Sequence, residues 1–166
     1  MLDCIRNRHS IRRFKDQPIE ENQLEEILRA AMQAPTARNA QSWRFVVIRN
    51  RKALEDMIQL QPYTGMMKEA ALAIMVLGDR TASSPDEYLY CDASAAIENM
   101  LLEAGNQGLG GCWCAIGPKE ERITAFRDYY QIEENLLPIA VVALGVPNEV
   151  KEKTDRYDPQ KVRYLD

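Results

Sequence analysis

Two runs of nearly uninterrupted apolar residues constrain this chain most. They cover Ala70–Gly78 and Leu136–Pro147. A helix that spans a bilayer needs about 20 apolar residues, so both runs are too short to cross a membrane. Short apolar runs rich in valine, leucine and isoleucine are typical of strands buried on both faces. The runs therefore predict two buried strands, at Ala70–Gly78 and Leu136–Gly145.

The remaining elements alternate between helix and strand. Residues 20–34 place apolar side chains at helical spacing before Pro35, which predicts an amphipathic helix. The alanine-rich stretch Asp92–Asn106 predicts a long central helix. Two further strands are predicted, at Trp43–Ile48 and Cys112–Ala115, and a loop at Asp79–Asp86. A short helix is predicted around Leu54, Met57 and Ile58. The last predicted helix has Gly117-Pro118 in its first turn and buries Ile123, Phe126 and Tyr130. This alternation by itself predicts α/β layers around a parallel, doubly wound sheet.

Length and composition bound the class of protein. The chain has 166 residues, of which 46% are hydrophobic and 28% charged, and this suits one globular domain over residues 1–166. Its formal net charge of −4 argues against a nucleic-acid partner. Charged residues within positions 1–10 give no export signal. The 4 cysteines are therefore expected to stay reduced, in the cytoplasm.

Positive charge is concentrated near the two ends of the chain. Residues 1–15 hold five basic side chains and Asp3 as the sole acid, a local charge of +4. A second basic group comprises Lys151, Lys153 and Arg156. One interpretation is a solvated surface that pairs with the acidic run at residues 20–26, which is the more common fate of such charges. The other is a site for one small multivalent anion, because guanidinium groups suit phosphate.

Several catalytic devices are excluded by the residues themselves. His9 is the sole histidine and no Gly-x-Ser-x-Gly motif is present, which argues against a serine hydrolase. Cys112 and Cys114 have the wrong spacing for a zinc knuckle. They flank Trp113 in a predicted strand, so we expect one to face the core and the other a surface or ligand, with a buried, inert thiol favoured for both. Gly108–Gly111 fits either a nucleotide loop or a helix C-cap with a tight turn.

A chain with phosphate-binding residues but no pair of nucleophile and base is expected to hold a cofactor that does the chemistry. Four segments point to one: Arg8-His9-Ser10-Ile11-Arg12; Ala34-Pro35-Thr36-Ala37-Arg38-Asn39-Ala40-Gln41-Ser42-Trp43; Gly108-Leu109-Gly110-Gly111-Cys112-Trp113 with Ala115-Ile116-Gly117; and Arg156 in Asp155-Arg156-Tyr157. In this order they resemble the motifs of the nitroreductase-like family of FMN-dependent, NAD(P)H-using oxidoreductases. The likeness is to its short members and runs from about Cys4 into the tail.

The resemblance implies a different fold from the one that the alternation predicts. Members of this family have an α+β fold with a mostly antiparallel central sheet flanked by helices. They are interlocked homodimers with FMN at the interface between the subunits. Asp92–Asn106 would then be the helix at the core of the dimer, and the tail after Pro147 would embrace the partner subunit.

The resemblance also assigns the cofactor-binding residues of the basic ends. Arg8 and Arg156 are implied to bind the FMN phosphate, with a neutral hydrogen bond from Ser10 near it, and His9 is implied to be a further cofactor-binding residue. Arg12 is implied to lie near N1 and O2 of the flavin, where the reduced ring gathers negative charge.

Two further segments complete the implied site. In the first segment, Asn39 and Gln41 are implied to supply amide groups to the polar edges of the flavin. Pro35, Thr36 and Ala37 of the same segment are implied to come from the second subunit. The second segment runs beneath the flavin, with a backbone N–H near Ile116–Gly117 expected to face N5; its members are Cys114, Ala115, Ile116 and Gly117.

The activity that the resemblance implies is hydride transfer from NAD(P)H through flavin N5 to an electron-poor acceptor, in a ping-pong cycle. The acceptor would be a nitroaromatic, a quinone or an activated alkene, and the loops Gln61–Met67 and Asp79–Tyr90 would set the choice. The alternatives are flavin fragmentation or reductive dehalogenation on the same fold, or a non-catalytic flavin carrier. Neither a nucleic acid nor a membrane is expected as a partner.

Overall fold

The computed structural model describes residues 1–83, 85–152 and 154–165. Its helices are α1 (Asp3–Asn7), α2 (Glu21–Met32), α3 (Arg51–Leu60), α4 (Asp86–Asn106) and α5 (Glu120–Tyr130). Its strands are β1 (Trp43–Ile48), β2 (Leu72–Asp79), β3 (Gly110–Ala115) and β4 (Leu136–Gly145). Short 3₁₀ turns lie at Ala37–Asn39, Gly65–Lys68 and Pro159–Lys161.

The strands form one antiparallel sheet in the order β1-β2-β4-β3. This confirms the antiparallel sheet that the family resemblance implies, and the parallel sheet expected from the alternation of elements is wrong. Every residue of β2 is buried, and so is every residue of β4 except Leu136. Such apolar runs usually belong to parallel sheets, which helices cover on both faces. Here α4 and α5 pack against an antiparallel sheet and produce the same pattern.

Helix α4 is 21 residues long and begins at Asp86, earlier than the predicted Asp92. Pro85 precedes the helix, and the acidic Asp86 and Glu87 occupy the first turn, where they suit the positive end of the helix dipole. The predicted loop at Asp79–Asp86 is therefore shorter than expected, and its Ser84 lies outside the described residues. One face of α4 is buried against α2 and the sheet; it carries Ala93, Ala96, Ile97, Met100, Leu101 and Ala104.

Two helical details differ from the sequence prediction. The sequence gives no signal for α1, because its 5 residues are too few to show a helical period. Helix α5 begins at Glu120 after Lys119, so the cis-linked Gly117-Pro118 precedes the helix and does not form its first turn. No helix in the described residues has the length and apolarity that crossing a bilayer requires.

Candidate functional site

Backbone pairing joins the basic N-terminal segment to β3 and to the residues after β4. Ser10 forms a bridge with Gly111, and the Ile11 N–H donates to the Gly111 carbonyl at 2.9 Å. Further along, the Lys15 N–H donates to the Val146 carbonyl at 2.9 Å. The pairing therefore places the residues near the two ends of the chain side by side.

Glu149 fixes the conformation of this junction. One of its carboxylate oxygens accepts the Arg12 N–H at 2.6 Å and the Arg13 N–H at 3.3 Å. The other oxygen lies 2.5 Å from Nζ of Lys151. The hydrogen bond from the Arg12 N–H, followed by that from Lys151, holds the pKa of Glu149 below its usual range. Glu149 is therefore a charged link between the tail and the N-terminal segment.

His9 connects the same two segments through its ring. Its Nδ1 lies 2.7 Å from the carbonyl oxygen of Asn7, and its Nε2 lies 3.0 Å from the carbonyl oxygen of Glu152. Both ring nitrogens therefore have partners within the chain. The geometry gives His9 a structural role at the junction, beside the residues that the resemblance assigns to the phosphate.

Arg8 and Arg156 line one cavity of about 770 Å³. Residues 154–157 supply one part of its lining, and the N-terminal residues supply another. In this cavity Nε of Arg8 lies 3.3 Å from Oε1 of Glu98, and the Arg8 side chain is 26% exposed. The structure thus brings together one cation from each end of the chain. Lys153 of the second basic group lies outside the described residues.

Arg12 lines a second cavity, of about 680 Å³. Cys112, Cys114 and Ala115 of β3 line the same cavity. Side chains two residues apart in a strand share a face, so both thiols lie on one side of β3. The expectation that one thiol faces the core and the other a surface is therefore wrong. Both are buried, as the favoured alternative holds, and both also border this cavity.

The two thiols differ in acidity. A hydrogen bond from Cys114, assisted by the Arg12 guanidinium, lowers the pKa of Cys112 to about 7 against the cost of desolvation. The hydrogen bond to Cys112, together with burial, raises the pKa of Cys114 above its usual range. The pair can therefore hold one thiolate near neutral pH, because a guanidinium stabilises it there.

We expect iodoacetamide to alkylate Cys112 with a midpoint near pH 7, whereas Cys114 stays unmodified over the same range. Replacing the other two cysteines, Cys4 and Cys91, with serine isolates the buried pair. Mass spectrometry after timed labelling of the apoprotein gives the two pH profiles. Arg12→Gln is expected to move the Cys112 midpoint upward, because it removes a cation beside the thiolate. A Cys112 profile that does not change across neutral pH would contradict this assignment.

The segment after β3 turns into the protein core. Ile116 is fully buried, and the N–H groups of Ile116 and Gly117 both donate to the Ile139 carbonyl, at 2.9 and 3.1 Å. Both amides therefore have a hydrogen-bond partner within the chain, and the placement of one of them opposite flavin N5 stays a prediction. Of the predicted set Cys114, Ala115, Ile116 and Gly117, the cavity is lined by Cys114 and Ala115.

The glycine-rich segment serves packing and helix termination. Gly108 follows α4 with a φ of +75°, which is the geometry of a helix C-cap and confirms that alternative. A Cβ on Gly110 would lie 2.8 Å from Cβ of Ile11, and one on Gly111 would lie 2.7 Å from Cδ2 of Leu101. These two glycines let the N-terminal segment and α4 approach β3 closely. No phosphate-binding role is needed to explain them.

Asp92 holds the loop between α2 and β1. Its Oδ1 accepts the Ala37 N–H at 3.1 Å, and its Oδ2 accepts the Ser42 hydroxyl at 2.9 Å. Asp92 is 5% exposed, so these hydrogen bonds form away from water. They stabilise a loop in which Asn39 and Gln41 have left-handed φ values of 54° and 48°, a conformation that is costly for residues other than glycine.

This loop carries the remaining predicted site residues; they are Pro35, Thr36, Ala37, Asn39 and Gln41. Within the described part of the chain, none of them lines the Arg8–Arg156 cavity or the Arg12 cavity. The structure therefore divides the predicted site into two groups. One consists of the basic N-terminal segment with β3 and the tail, and the other is the α2–β1 loop.

Comparison with known proteins decides the family. The model of the nitroreductase family matches residues 5–64 and 58–146. The chain belongs to the nitroreductase family. An Archaeoglobus fulgidus protein, provisionally named an NADH dehydrogenase/NAD(P)H nitroreductase, is 39% identical over 165 residues, which cover 97% of this chain and 95% of that protein.

Solved structures of nitroreductase-family proteins match the fold. The crystal structure of a Bacteroides thetaiotaomicron protein with the same provisional name has a TM-score of 0.93 and 37% identity, and the match covers 98% of this chain and 95% of that chain. A Desulfovibrio desulfuricans protein, provisionally named a nitroreductase, was crystallised in complex with FMN. It has a TM-score of 0.86 and 27% identity, and the match covers 98% and 95% of the two chains.

Sequence reasoning missed two residues of the site, Arg122 and Asp92. Arg122 lines the Arg12 cavity, but on a helix surface it has the same sequence signal as any solvated arginine. Asp92 lies within α4, where an acid shows no sign of capturing a distant loop. In the predicted substrate loop, Met66 and Met67 are 8% and 1% exposed, so Tyr63, at 72%, is the exposed member of that group.

Proposed function

We propose that this chain, an FMN-dependent NAD(P)H oxidoreductase of the nitroreductase family, reduces electron-poor acceptors in a ping-pong cycle at a site shared by two copies. The acceptors proposed are nitroaromatics, quinones or activated alkenes. The observation that carries the proposal is the common cavity of Arg8 and Arg156, which come from opposite ends of the sequence.

The residues of that cavity suit the phosphate of FMN. A phosphate that leaves water needs cationic hydrogen-bond donors, because burying an unpaired charge is prohibitive. Arg8 and Arg156 supply two guanidinium groups, and Ser10 lies two residues along the segment from Arg8. Glu98 holds Arg8 through an ion pair at 3.3 Å. A bound phosphate would compete with the Glu98 carboxylate for the Arg8 guanidinium.

The Arg12 cavity suits the flavin ring. Arg12 takes part in no salt bridge among the described residues, so its charge is available to a ligand. When bound, FMN supplies a two-electron redox centre at N5 that receives hydride from NAD(P)H and passes it to the acceptor. Arg12 stabilises negative charge on the ring, and the buried thiols of β3 exclude water from that side.

We expect Arg12→Gln to lower the midpoint potential of the bound flavin by tens of millivolts, since about 30 mV corresponds to 1.4 kcal/mol for a two-electron couple. The reason is that the substitution removes a cation that stabilises the reduced, anionic ring. Anaerobic equilibration with reference dyes measures the potential. Arg49→Gln is the matched control, because the Arg49 side chain is 51% exposed, pairs with Glu21 and does not line the Arg12 cavity. Equal potentials in wild type and Arg12→Gln would remove this electronic role.

A second copy of the chain supplies the α2–β1 loop in this proposal. The loop lies outside both cavities, as a partner-donated segment would. Exposed apolar side chains at the two ends of the chain also suit burial against a partner subunit; among them are Leu2, Ile5, Tyr157, Tyr164 and Leu165. The proposed dimer is interlocked, with the tail after Pro147 embracing the partner. A reducing cytoplasm is the proposed compartment, since the cysteines are free.

Anaerobic reduction of the purified holoprotein tests the function. NADH or NADPH should bleach the yellow colour, and a panel of nitroaromatics, quinones and activated alkenes should restore it. Yellow protein that neither nicotinamide bleaches would point to a flavin carrier or to another flavin chemistry, such as fragmentation or dehalogenation. Protein without affinity for FMN would overturn the proposal. Light scattering after gel filtration tests the dimer.

A further inference from the structure

Two aromatic side chains and a second arginine border the Arg12 cavity together with Arg12. Tyr63 is 72% exposed and Trp113 is 37% exposed, and both line the cavity. Cζ of Arg122, in the first turn of α5, lies 5.8 Å from the centre of the Tyr63 ring. That distance is within the range of a cation–π contact, so Arg122 and Tyr63 form one surface. We call Tyr63, Trp113 and Arg122 the rim.

The rim and the cavity carry an excess of positive charge. The lining includes Arg12, Arg13 and Arg122, whereas Glu69 is its one carboxylate among the described residues and Cys112 adds at most one thiolate. Glu69 is already engaged, because one of its oxygens lies 3.2 Å from Nε of Arg13 and the other accepts the Phe14 N–H at 3.1 Å.

Arg122 differs from Arg13 in its ion pairing. It forms no salt bridge with any of the residues that the structure describes. The half-buried Arg122 side chain therefore offers its guanidinium to a ligand in the cavity.

Buried hydrogen bonds hold the position of Tyr63. The Gln61 side chain donates to the Ala115 carbonyl at 2.8 Å and accepts the Tyr63 N–H at 3.0 Å. The Thr64 hydroxyl donates to the Gln61 carbonyl at 2.7 Å, and Gln61 and Thr64 are 2% and 0% exposed. The 61–64 loop is thus fixed to the end of β3, so the rim exists before any ligand binds.

We propose that the rim selects aromatic acceptors that carry an anionic group, such as a carboxylate or a sulfonate. The aromatic faces of Tyr63 and Trp113 suit the acceptor ring, and Arg122 pairs with the anion. This inference rests on the proposed function, because it names the substrate class of that site. Arg122 is a specificity residue here; the redox step does not require it.

Two acceptors that differ mainly in charge test the inference. The measurement is kcat/KM for 4-nitrobenzoate divided by kcat/KM for 4-nitrobenzamide. Intrinsic reactivity cancels when this ratio is compared between variants. Arg122→Gln should lower the ratio about fivefold, mainly through KM for the benzoate, which is what one partly exposed ion pair contributes. Arg122→Glu should lower it further, and Arg122→Lys should retain most of it.

The matched control is Arg49→Gln, which removes an exposed arginine that pairs with Glu21 and does not line the cavity. Its ratio should equal that of wild type. An unchanged ratio in Arg122→Gln, with normal turnover, would overturn the inference while the proposed function stands. If the protein shows no turnover, the inference is tested without it by equilibrium binding of benzoate and benzamide to the oxidised holoprotein. Tryptophan fluorescence monitors the binding. Tighter binding of benzoate that Arg122→Gln abolishes supports the rim even without turnover, and equal binding contradicts it.

Discussion

Replacing Arg8 with alanine is expected to weaken FMN binding by about tenfold to a hundredfold. A charge-assisted hydrogen bond contributes about 1.5–3 kcal/mol, and each 1.4 kcal/mol is a factor of ten in affinity. Arg8 is 26% exposed and shares its cavity with Arg156, so a ligand there is partly shielded from water. Titration of the apoprotein with FMN, followed by the quenching of flavin fluorescence, gives the dissociation constant.

Two variants make the Arg8 result interpretable. Arg13→Ala removes an arginine from the same segment whose side chain is 67% exposed. A surface ion pair of this kind contributes about 0.4 kcal/mol or less, so the FMN affinity should change less than twofold. Glu98→Gln removes the acid that pairs with Arg8, and it should tighten binding because the phosphate no longer competes with a carboxylate. Equal affinities in wild type and Arg8→Ala would show that the phosphate lies elsewhere.

Replacing Asp92 with alanine is expected to lower the free energy of unfolding by about 3 kcal/mol. The substitution leaves the Ala37 N–H and the Ser42 hydroxyl without their acceptor in a buried place, and an unsatisfied buried donor costs about 1–3 kcal/mol. The loop that carries the left-handed residues Asn39 and Gln41 also loses the hydrogen bonds that hold it at Ala37 and Ser42. Urea unfolding followed by circular dichroism measures the change, at a fixed protein concentration because assembly contributes to stability.

Ser42→Ala is the control for Asp92. It removes the hydroxyl donor and leaves the Ala37 contact intact, so we expect about a third to a half of the effect of Asp92→Ala. If Asp92→Ala unfolds at the same urea concentration as wild type, the carboxylate does not hold the loop. If Ser42→Ala costs as much as Asp92→Ala, the hydroxyl contact carries the whole effect.

Local patterns predicted the elements better than their arrangement. The strands Trp43–Ile48 and Leu136–Gly145 have the predicted bounds, because Ser42 and Arg49 flank the first and because Asn135 precedes the second, which ends at Gly145. Strand direction is a non-local property, and burial of β2 on both faces produced the pattern of a parallel strand. The motif resemblance corrected the direction, since it carries information about a whole fold that no single segment holds.

The site divides in the same way. Arg8, Arg12 and Arg156 could be singled out from the sequence because cations are concentrated near the two ends of the chain. Arg122 could not, since its contact with Tyr63 depends on how α5 meets the end of β3. The hydrogen bonds of the Ile116 and Gly117 amides could not be predicted either, because their acceptor, the Ile139 carbonyl, lies far along the chain.

The close contact between Gly110 and Ile11 couples the sheet to the basic residues on either side of Ile11. Any side chain at position 110 would meet Cβ, Cγ1 and Cγ2 of Ile11 within 3 Å, so β3 and the 10–12 segment would have to move apart. Ser10 and Arg12 flank Ile11, so such a displacement shifts both at once. An alanine at position 110 would therefore displace polar groups of the ligand pocket without contacting any of them. We expect a mutational screen for loss of activity to identify Gly110 together with Arg8 and Arg12.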